Sequence, residues 1–221
     1  MKILAIDTAT ERCSVALFID GRIIERATET PRGHADLILP MVESVLQESA
    51  LRLQNLDGLA YGRGPGAFTG VRIAVGVAQG LAFGAQLPTV GISDLAAVAQ
   101  QVAGPRDRVL VCMDARMGEV YWAQFERANG SALVIGTGPE RVDRPEAVVA
   151  GASSVFAGTG FGAYPQLLAH VNEGSVHGAA LPHAREIALL AEAELRAGRG
   201  KPAAEAEPVY LRDQVVFVKS Q

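Results

Sequence analysis

The sequence predicts an α/β protein made of two related β-β-β-α-β-α lobes, at residues 1–104 and 105–221. Three observations predict it. Hydrophobic spacing switches along the chain between period two and the helical period. The order strand, Asp, turn, strand, Asx-Gly, strand occurs twice, first with Asp7 and Asp20-Gly21, then with Asp114 and Asn129-Gly130. Between the copies, Gly104-Pro105-Arg106-Asp107 has the composition of a break.

The first lobe opens with a short apolar run at 3–6 that ends on Asp7. A polar turn leads to a second strand at 13–19. Asp20-Gly21 then signals a hairpin, because both positions accept positive φ, and a third strand follows at 22–29. From His34 the period becomes helical, with Leu37, Ile38, Met41, Val42, Val45 and Leu46 on one face. Pro40 inside that stretch predicts a kink or an irregular first turn. A strand at 56–61, a glycine-rich loop at 62–70, a helix at about 69–85 and a strand at 88–92 come next. Ser93 is placed to cap a helix reaching about 103. In the second lobe, strands are predicted at 109–113, 120–125, 132–135 and 154–157, and helices at 145–150 and 182–197. This duplicated plan is that of the actin-like (ribonuclease H-like) ATPase and sugar-kinase fold.

Composition narrows the function. Hydrophobic residues form 49% of the chain and aromatics 5%, so the core must be built from Ala, Val, Leu and Ile. The net charge is -4 and the basic residues are scattered, which argues against gripping nucleic acid unaided. Cys13 and Cys112 form no CxxC pair and read as reduced, buried thiols. The N-terminus reaches Asp7 after four apolar residues, too few for a signal peptide. No apolar stretch runs uninterrupted for the roughly 18 residues of a membrane span. The expectation is a cytoplasmic protein with no membrane attachment.

The polar motifs are few. Asp7 ends a buried strand and is followed by Thr8 and Thr10, a turn that in actin-like ATPases faces nucleotide phosphates. The plainer reading is an Asx or ST turn at a strand end. Asp114 has the same choice in the second lobe. The 62–70 loop lacks the Lys and the spacing of the known phosphate loops, leaving a tight strand-to-helix connection with Thr69 as helix cap. The helix after it carries two rows of small residues, Gly76, Gly80, Gly84 and Gly70, Ala74, Ala78, Ala82. A mid-helix Gly costs about 1 kcal/mol against Ala, so something must approach this helix closely. One side is expected to pack on its own sheet or on the His34 helix, and the other to meet a helix of another chain. His34, His170, His177 and His183 fit no zinc motif, and no G-x-S-x-G supports a serine nucleophile. The hairpin Asp114-Ala115-Arg116-Met117-Gly118-Glu119-Val120-Tyr121-Trp122 reads as packing its aromatics between the lobes.

Taken together, these segments resemble the TsaB (YeaZ) family. The resemblance rests on Ile3-Leu4-Ala5-Ile6-Asp7-Thr8-Ala9-Thr10, on Gly64-Pro65-Gly66-Ala67-Phe68-Thr69-Gly70-Val71-Arg72-Ile73, on the hairpin 114–122, and on Glu207-Pro208-Val209-Tyr210-Leu211-Arg212. It implies an actin-like fold and a non-catalytic role beside TsaD, the larger paralogue that transfers the threonylcarbamoyl group to the adenosine 3' of the anticodon in tRNAs reading codons that begin with A. TsaC supplies the activated adenylate, and TsaE, the accessory ATPase, would join through the TsaD pair. The resemblance places partner binding on the two long first-lobe helices, here at His34, Leu37, Ile38, Met41 and Val45, and at Gly70, Val71, Ala74, Val75 and Ala78. It implies no cofactor held by this chain alone, ATP or ADP at the interface with TsaD, tRNA met only within the complex, and a homodimer when alone.

The sequence also departs from TsaD. The metal-binding histidine pair of TsaD-like proteins aligns with Asp94 and Val98, and Val cannot ligate a metal. No catalytic residues are expected, for transfer or for proteolysis. The rival expectation is an independent small ATPase or kinase using Asp7, Thr8 and Asp114.

Overall fold

The computed structural model describes residues 1–127, 130–171 and 175–212. The first lobe follows its hydrophobic pattern closely. Strands β1 (Lys2–Asp7), β2 (Arg12–Ile19) and β3 (Arg22–Glu29) form an antiparallel meander, turned between β2 and β3 by Asp20 and Gly21 at positive φ. Helix α1 (His34–Ser49) leads to β4 (Gly58–Gly62), which pairs parallel to β1. Helix α2 (Phe68–Ala85) leads to β5 (Thr89–Ile92), parallel to β4, and then to α3 (Asp94–Val102). The sheet order is β3-β2-β1-β4-β5.

The second lobe repeats that order. Strands β6 (Arg108–Arg116), β7 (Glu119–Arg127) and β8 (Val134–Gly136) are antiparallel, and β10 (Val155–Ala157) and β11 (Ser175–His177) add in parallel. The sheet reads β11-β10-β6-β7-β8, the same topology, with β9 (Arg141–Asp143) pairing on β7. The duplicated α/β plan is therefore real, although its helices are unequal. Where the first lobe has α1 and α2, the second has a short 3-10 turn at Pro145–Ala147, a four-residue α4 (Gly160–Ala163) and a 3-10 stretch at Pro165–His170. Helix α5 (Ala184–Arg196) closes the order.

Strand alternation builds three layers of core. Ile3, Ala5, Ala16, Phe18 and Ala60 point inward from the first sheet, and Val109, Val111, Met113 and Ala123 from the second. Helices α3 and α5 fill the space between them. Each crosses over. Helix α3 packs on β6, β7, β8 and β10, whereas α5 packs on β1, β2, β4 and β5. A division at residue 104 thus separates each sheet from the helix that covers its inner face. On the outer face of the first sheet, Leu4, Ile6, Val15 and Leu17 meet α1 and α2. On the outer face of the second, Leu110, Cys112 and Phe156 meet short segments that supply Phe161 and Leu167.

Residues 203–212 return as a strap. Ala203 and Ala206 pack against the α2 core. Glu207 N–H donates to the Tyr61 hydroxyl (3.1 Å) and Val209 N–H to the Arg63 carbonyl (2.8 Å). Arg212 pairs with Glu119 and donates to the Ala115 carbonyl, which ties the strap to the hairpin between β6 and β7.

Several sequence expectations are corrected. The cap position of α2 is Ala67 and Thr69 lies inside the helix, so no side chain caps it; the Ala67 N–H is instead held by the Ala9 carbonyl (2.7 Å). Ser93 does cap α3, accepting from Ala96 N–H (3.3 Å). Helix α1 runs through Pro40, which sits on the exposed side where a missing N–H costs least. The cap position of α1 is Gly33, with His34 as its first residue. The helix expected at 145–150 is only one 3-10 turn. Trp122 packs in the outer-face cluster of the second lobe and donates to Asp143 (2.9 Å), while Tyr121 faces the core between the sheets. Asn129 of the expected second hairpin turn lies outside the described residues.

One close approach fixes α2 on the sheet. The Thr8 hydroxyl donates to the Gly70 carbonyl (2.7 Å), and a Cβ on Gly70 would overlap the Thr8 carbonyl oxygen. Gly70→Ala is expected to lose about 2 kcal/mol or more of stability through this overlap, read as a lower urea midpoint. The same substitution at Gly80, where a Cβ meets nothing within 4 Å, should gain up to about 1 kcal/mol.

Candidate functional site

Helices α1 and α2 lie side by side over the first sheet, and the structure divides their residues sharply. Ile38, Val45, Gly70, Val71, Ala74, Val75 and Ala78 are buried within the chain's own core. Leu37, Met41 and His34 are half-buried, and the His34 Nε2 is buried with no hydrogen-bond partner among the described residues. Most of the residues expected to meet a partner are therefore the ones that hold α1 and α2 to the sheet. They face inward because β1 and β2 offer them an apolar outer surface.

The opposite edge of α2 is open. Phe83 is 76% exposed and Phe68 61%, and Leu39 on α1 is 50% exposed. Gly76, Gly80 and Gly84 line this edge, and a Cβ on any of them would meet nothing within 4 Å. Of the two small-residue rows, the alanine row packs internally and the glycine row faces outward. Next to this face, a groove between α1 and the chain after it is lined by Leu39, Leu46, Leu51, Leu53 and Leu81. At the start of α2 the Arg72 guanidinium lies 3.3 Å from the Phe68 ring centre and 4.7 Å from that of Tyr210, so a strap residue joins the surface. α2 has the length and apolarity to cross a membrane, but its buried edge is part of the first lobe's core.

The turn after β1 is closed to solvent. Asp7 and Thr8 are wholly buried. Asp7 Oδ1 accepts from Ala9 N–H (2.9 Å), and the Thr8 hydroxyl is committed to Gly70. Thr10 accepts from Arg12 N–H (3.3 Å) at the partly exposed end. This is the Asx turn of the plainer reading, and only Thr10 keeps a surface position. In the second lobe, Asp114 accepts from the Tyr164 hydroxyl (2.8 Å) and pairs with Arg116, while its N–H donates to Thr159 Oγ1 (3.0 Å). Gly158 and Gly160 press on the Cys112 carbonyl, so this glycine turn packs against a strand end.

Asp94 and Val98 are both fully buried on α3. Among the described residues no three His, Cys, Asp or Glu side chains converge as metal ligands. Burial pushes the Cys13 thiol up to about 11, with the Asp7 charge adding to it, and raises Cys112 further still. Such thiols stay protonated at neutral pH and are poor nucleophiles.

Comparison with known proteins places this geometry. The family model for TsaD, tRNA N6-adenosine threonylcarbamoyltransferase, matches residues 26–219. A relative from Escherichia coli K12, the tRNA threonylcarbamoyladenosine biosynthesis protein TsaB, is 44% identical over 99% of this chain and 98% of its own. The chain belongs to the TsaB (YeaZ) family. A TsaB from Haemophilus influenzae is 39% identical over 99% of this chain and 97% of its own. YeaZ from Pseudomonas aeruginosa superposes with a TM-score of 0.85 at 41% identity, covering 95% of this chain and 99% of that one. A second Pseudomonas aeruginosa structure, described as similar to peptidase YeaZ, gives 0.88 at 42% identity over 96% and 99%.

Sequence reasoning did not single out Phe68, Phe83, Leu39 or Tyr210 as exposed apolar residues of α1, α2 and the strap. Spacing could have found Phe83, which falls beside the glycine row. Tyr210 could not be placed without the strap. Ala78→Glu buries a charge and is expected to cost roughly 3 kcal/mol or more, enough to disrupt the lobe. Phe83→Glu should stay within about 0.5 kcal/mol of wild type, with an unchanged circular dichroism melt.

Proposed function

We propose that this chain is a non-catalytic docking and activating subunit for a TsaD-type threonylcarbamoyltransferase, within the synthesis of threonylcarbamoyladenosine on tRNA. The observation that carries this reading is the open edge of α2. Phe83 and, beneath Arg72, Phe68 stand exposed on the helix that carries a row of glycines projecting no side chain. A facing helix could approach such a row to backbone distance and bury both rings, gaining about 25 cal/mol per Å² of apolar surface removed from water. The full-length likeness to proteins named for threonylcarbamoyladenosine biosynthesis supports the pathway. The TsaD family model supports a partner built on the same fold.

The non-catalytic part of the reading is supported by Val98 at the aligned ligand position and by the burial of Asp7 and Thr8. TsaE would bind through the TsaD pair, TsaC would supply the activated adenylate, and ATP or ADP would sit at the seam with TsaD. Binding of tRNA would belong to the assembled complex. Without TsaD, the same apolar face would pair with a second copy of this chain.

The test is size exclusion with light scattering on this chain mixed with TsaD of the same organism. A heterodimer peak is expected, and two unchanged peaks with ATP and TsaE present would refute the reading. Phe83→Glu and Gly80→Leu should each weaken the heterodimer at least about 10-fold and reduce reconstituted tRNA modification in parallel.

A further inference from the structure

Asp7 at the end of β1 and Asp94 at the start of α3 meet where no solvent reaches either side chain. Each holds one side of the entry to α2. Asp7 Oδ1 accepts from Ala9 N–H (2.9 Å), which fixes the turn after β1. That turn holds α2 through two bonds, Ala67 N–H to the Ala9 carbonyl (2.7 Å) and the Thr8 hydroxyl to the Gly70 carbonyl (2.7 Å). Asp94 Oδ2 accepts from Gly64 N–H (2.6 Å), and Asp94 N–H donates back to the Gly64 carbonyl (3.1 Å). This pair of bonds fixes the loop that leads into α2 from the other side.

The two carboxyls are neighbours beside Gly62. Asp7 Oδ2 and Asp94 Oδ1 are both buried with no hydrogen-bond partner among the described residues. Space around them is tight, since a Cβ on Gly62 would fall 2.5 Å from Asp94 Oδ1 and 2.6 Å from Asp7 Oδ1. An ionised carboxylate only accepts, so two orphaned carboxyl oxygens can satisfy one another only with a proton on one of them. Neighbouring carboxyls withheld from water do not both ionise readily.

The surrounding charges do not remove that need. Arg63 follows β4 and favours ionisation of Asp94, but its guanidinium is engaged with Glu140 (2.9 Å). His34 at the start of α1 favours ionisation of Asp7. Cys13 on β2 is a thiol raised by burial and by Asp7, so it adds no charge at neutral pH.

We propose that Asp7 and Asp94 share a single proton and together form a lock that positions α2, so that the docking face keeps its geometry only while that proton is held. The docking half of this statement rests on the function proposed above, and the lock itself does not. Burial holds Asp94 well above the ordinary carboxylate range, and the Asp7 charge lifts it further. Asp7 is raised by burial as well, against the opposing Ala9 and Thr8 N–H groups. The folded chain therefore binds the proton more tightly than the unfolded chain. Its stabilisation is complete below the ordinary carboxylate range and is lost as pH rises through the raised Asp94 value.

Asp94→Asn separates proton from geometry. The amide can donate to Asp7 without a titrating proton, and its oxygen can still accept from Gly64 N–H. The full chain and this variant would be melted from about pH 5 to about pH 9. Over that range the wild-type melting temperature should fall by roughly 3–8 °C more than that of the variant. Isotope-edited infrared of the wild type near neutral pH should show a protonated Asp carboxyl band that the variant lacks. Parallel melting profiles, or the lack of that band in the wild type, overturn the lock. If the variant does not fold, the wild-type band decides. Affinity for TsaD should weaken with rising pH in the wild type and stay flat in Asp94→Asn. A flat wild-type affinity beside the expected melting profiles overturns the link to docking and leaves the lock standing.

Discussion

The first turn of α2 is pressed against the turn that follows β1, and much of the first lobe depends on that contact. No side chain fits between them. Gly70 lies on the Thr8 carbonyl and Gly66 on that of Ala9. Side-chain packing along a helix usually leaves some freedom to slide, but backbone against backbone leaves little. The contact therefore sets which edge of α2 turns inward. Val71, Ala74, Ala78 and Ala82 go to the sheet, and the glycine row and Phe83 are left outside.

The two lobes share a topology and differ in what covers their outer faces. The first sheet carries two long helices there, and the second carries short turns around Trp122, Phe156 and Phe161. The contrast suits a division of labour. The helical layer presents a long, apolar and partly side-chain-free surface. The second lobe anchors the strap, through Arg212 on Glu119, that brings Tyr210 to one end of that surface.

Much of the fold was legible because periodicity is a local property. Strands β1 to β3, helices α1 to α3 and the repeated topology follow from alternation, turn residues and capping by Ser93. The short β9, β11 and α4 were missed, since three or four residues carry no period. The pairing of two long helices over the first sheet was legible, and which of their residues face outward was not. Helical spacing shows that Ala78 and Gly80 lie on different faces, but not which face the sheet takes. That choice is made by Thr8 and Ala9, some sixty residues earlier in the chain. The Asp7–Asp94 contact was hidden for a similar reason. Each residue alone reads as a turn or helix-start acid, and only the parallel pairing of β1, β4 and β5 brings them together.

The exchange of α3 and α5 between the sheets has a consequence for how the chain is made. Residues 2–92 supply every strand of the first sheet, yet its inner face waits for Ala184–Arg196. On the ribosome, about the first half of the molecule emerges with Ile3, Ala5, Ala16 and Phe18 uncovered. The two halves thus complete one another late in synthesis. A fragment ending near residue 104 would be an open, sticky half-core, and the complete chain would fold as one cooperative unit.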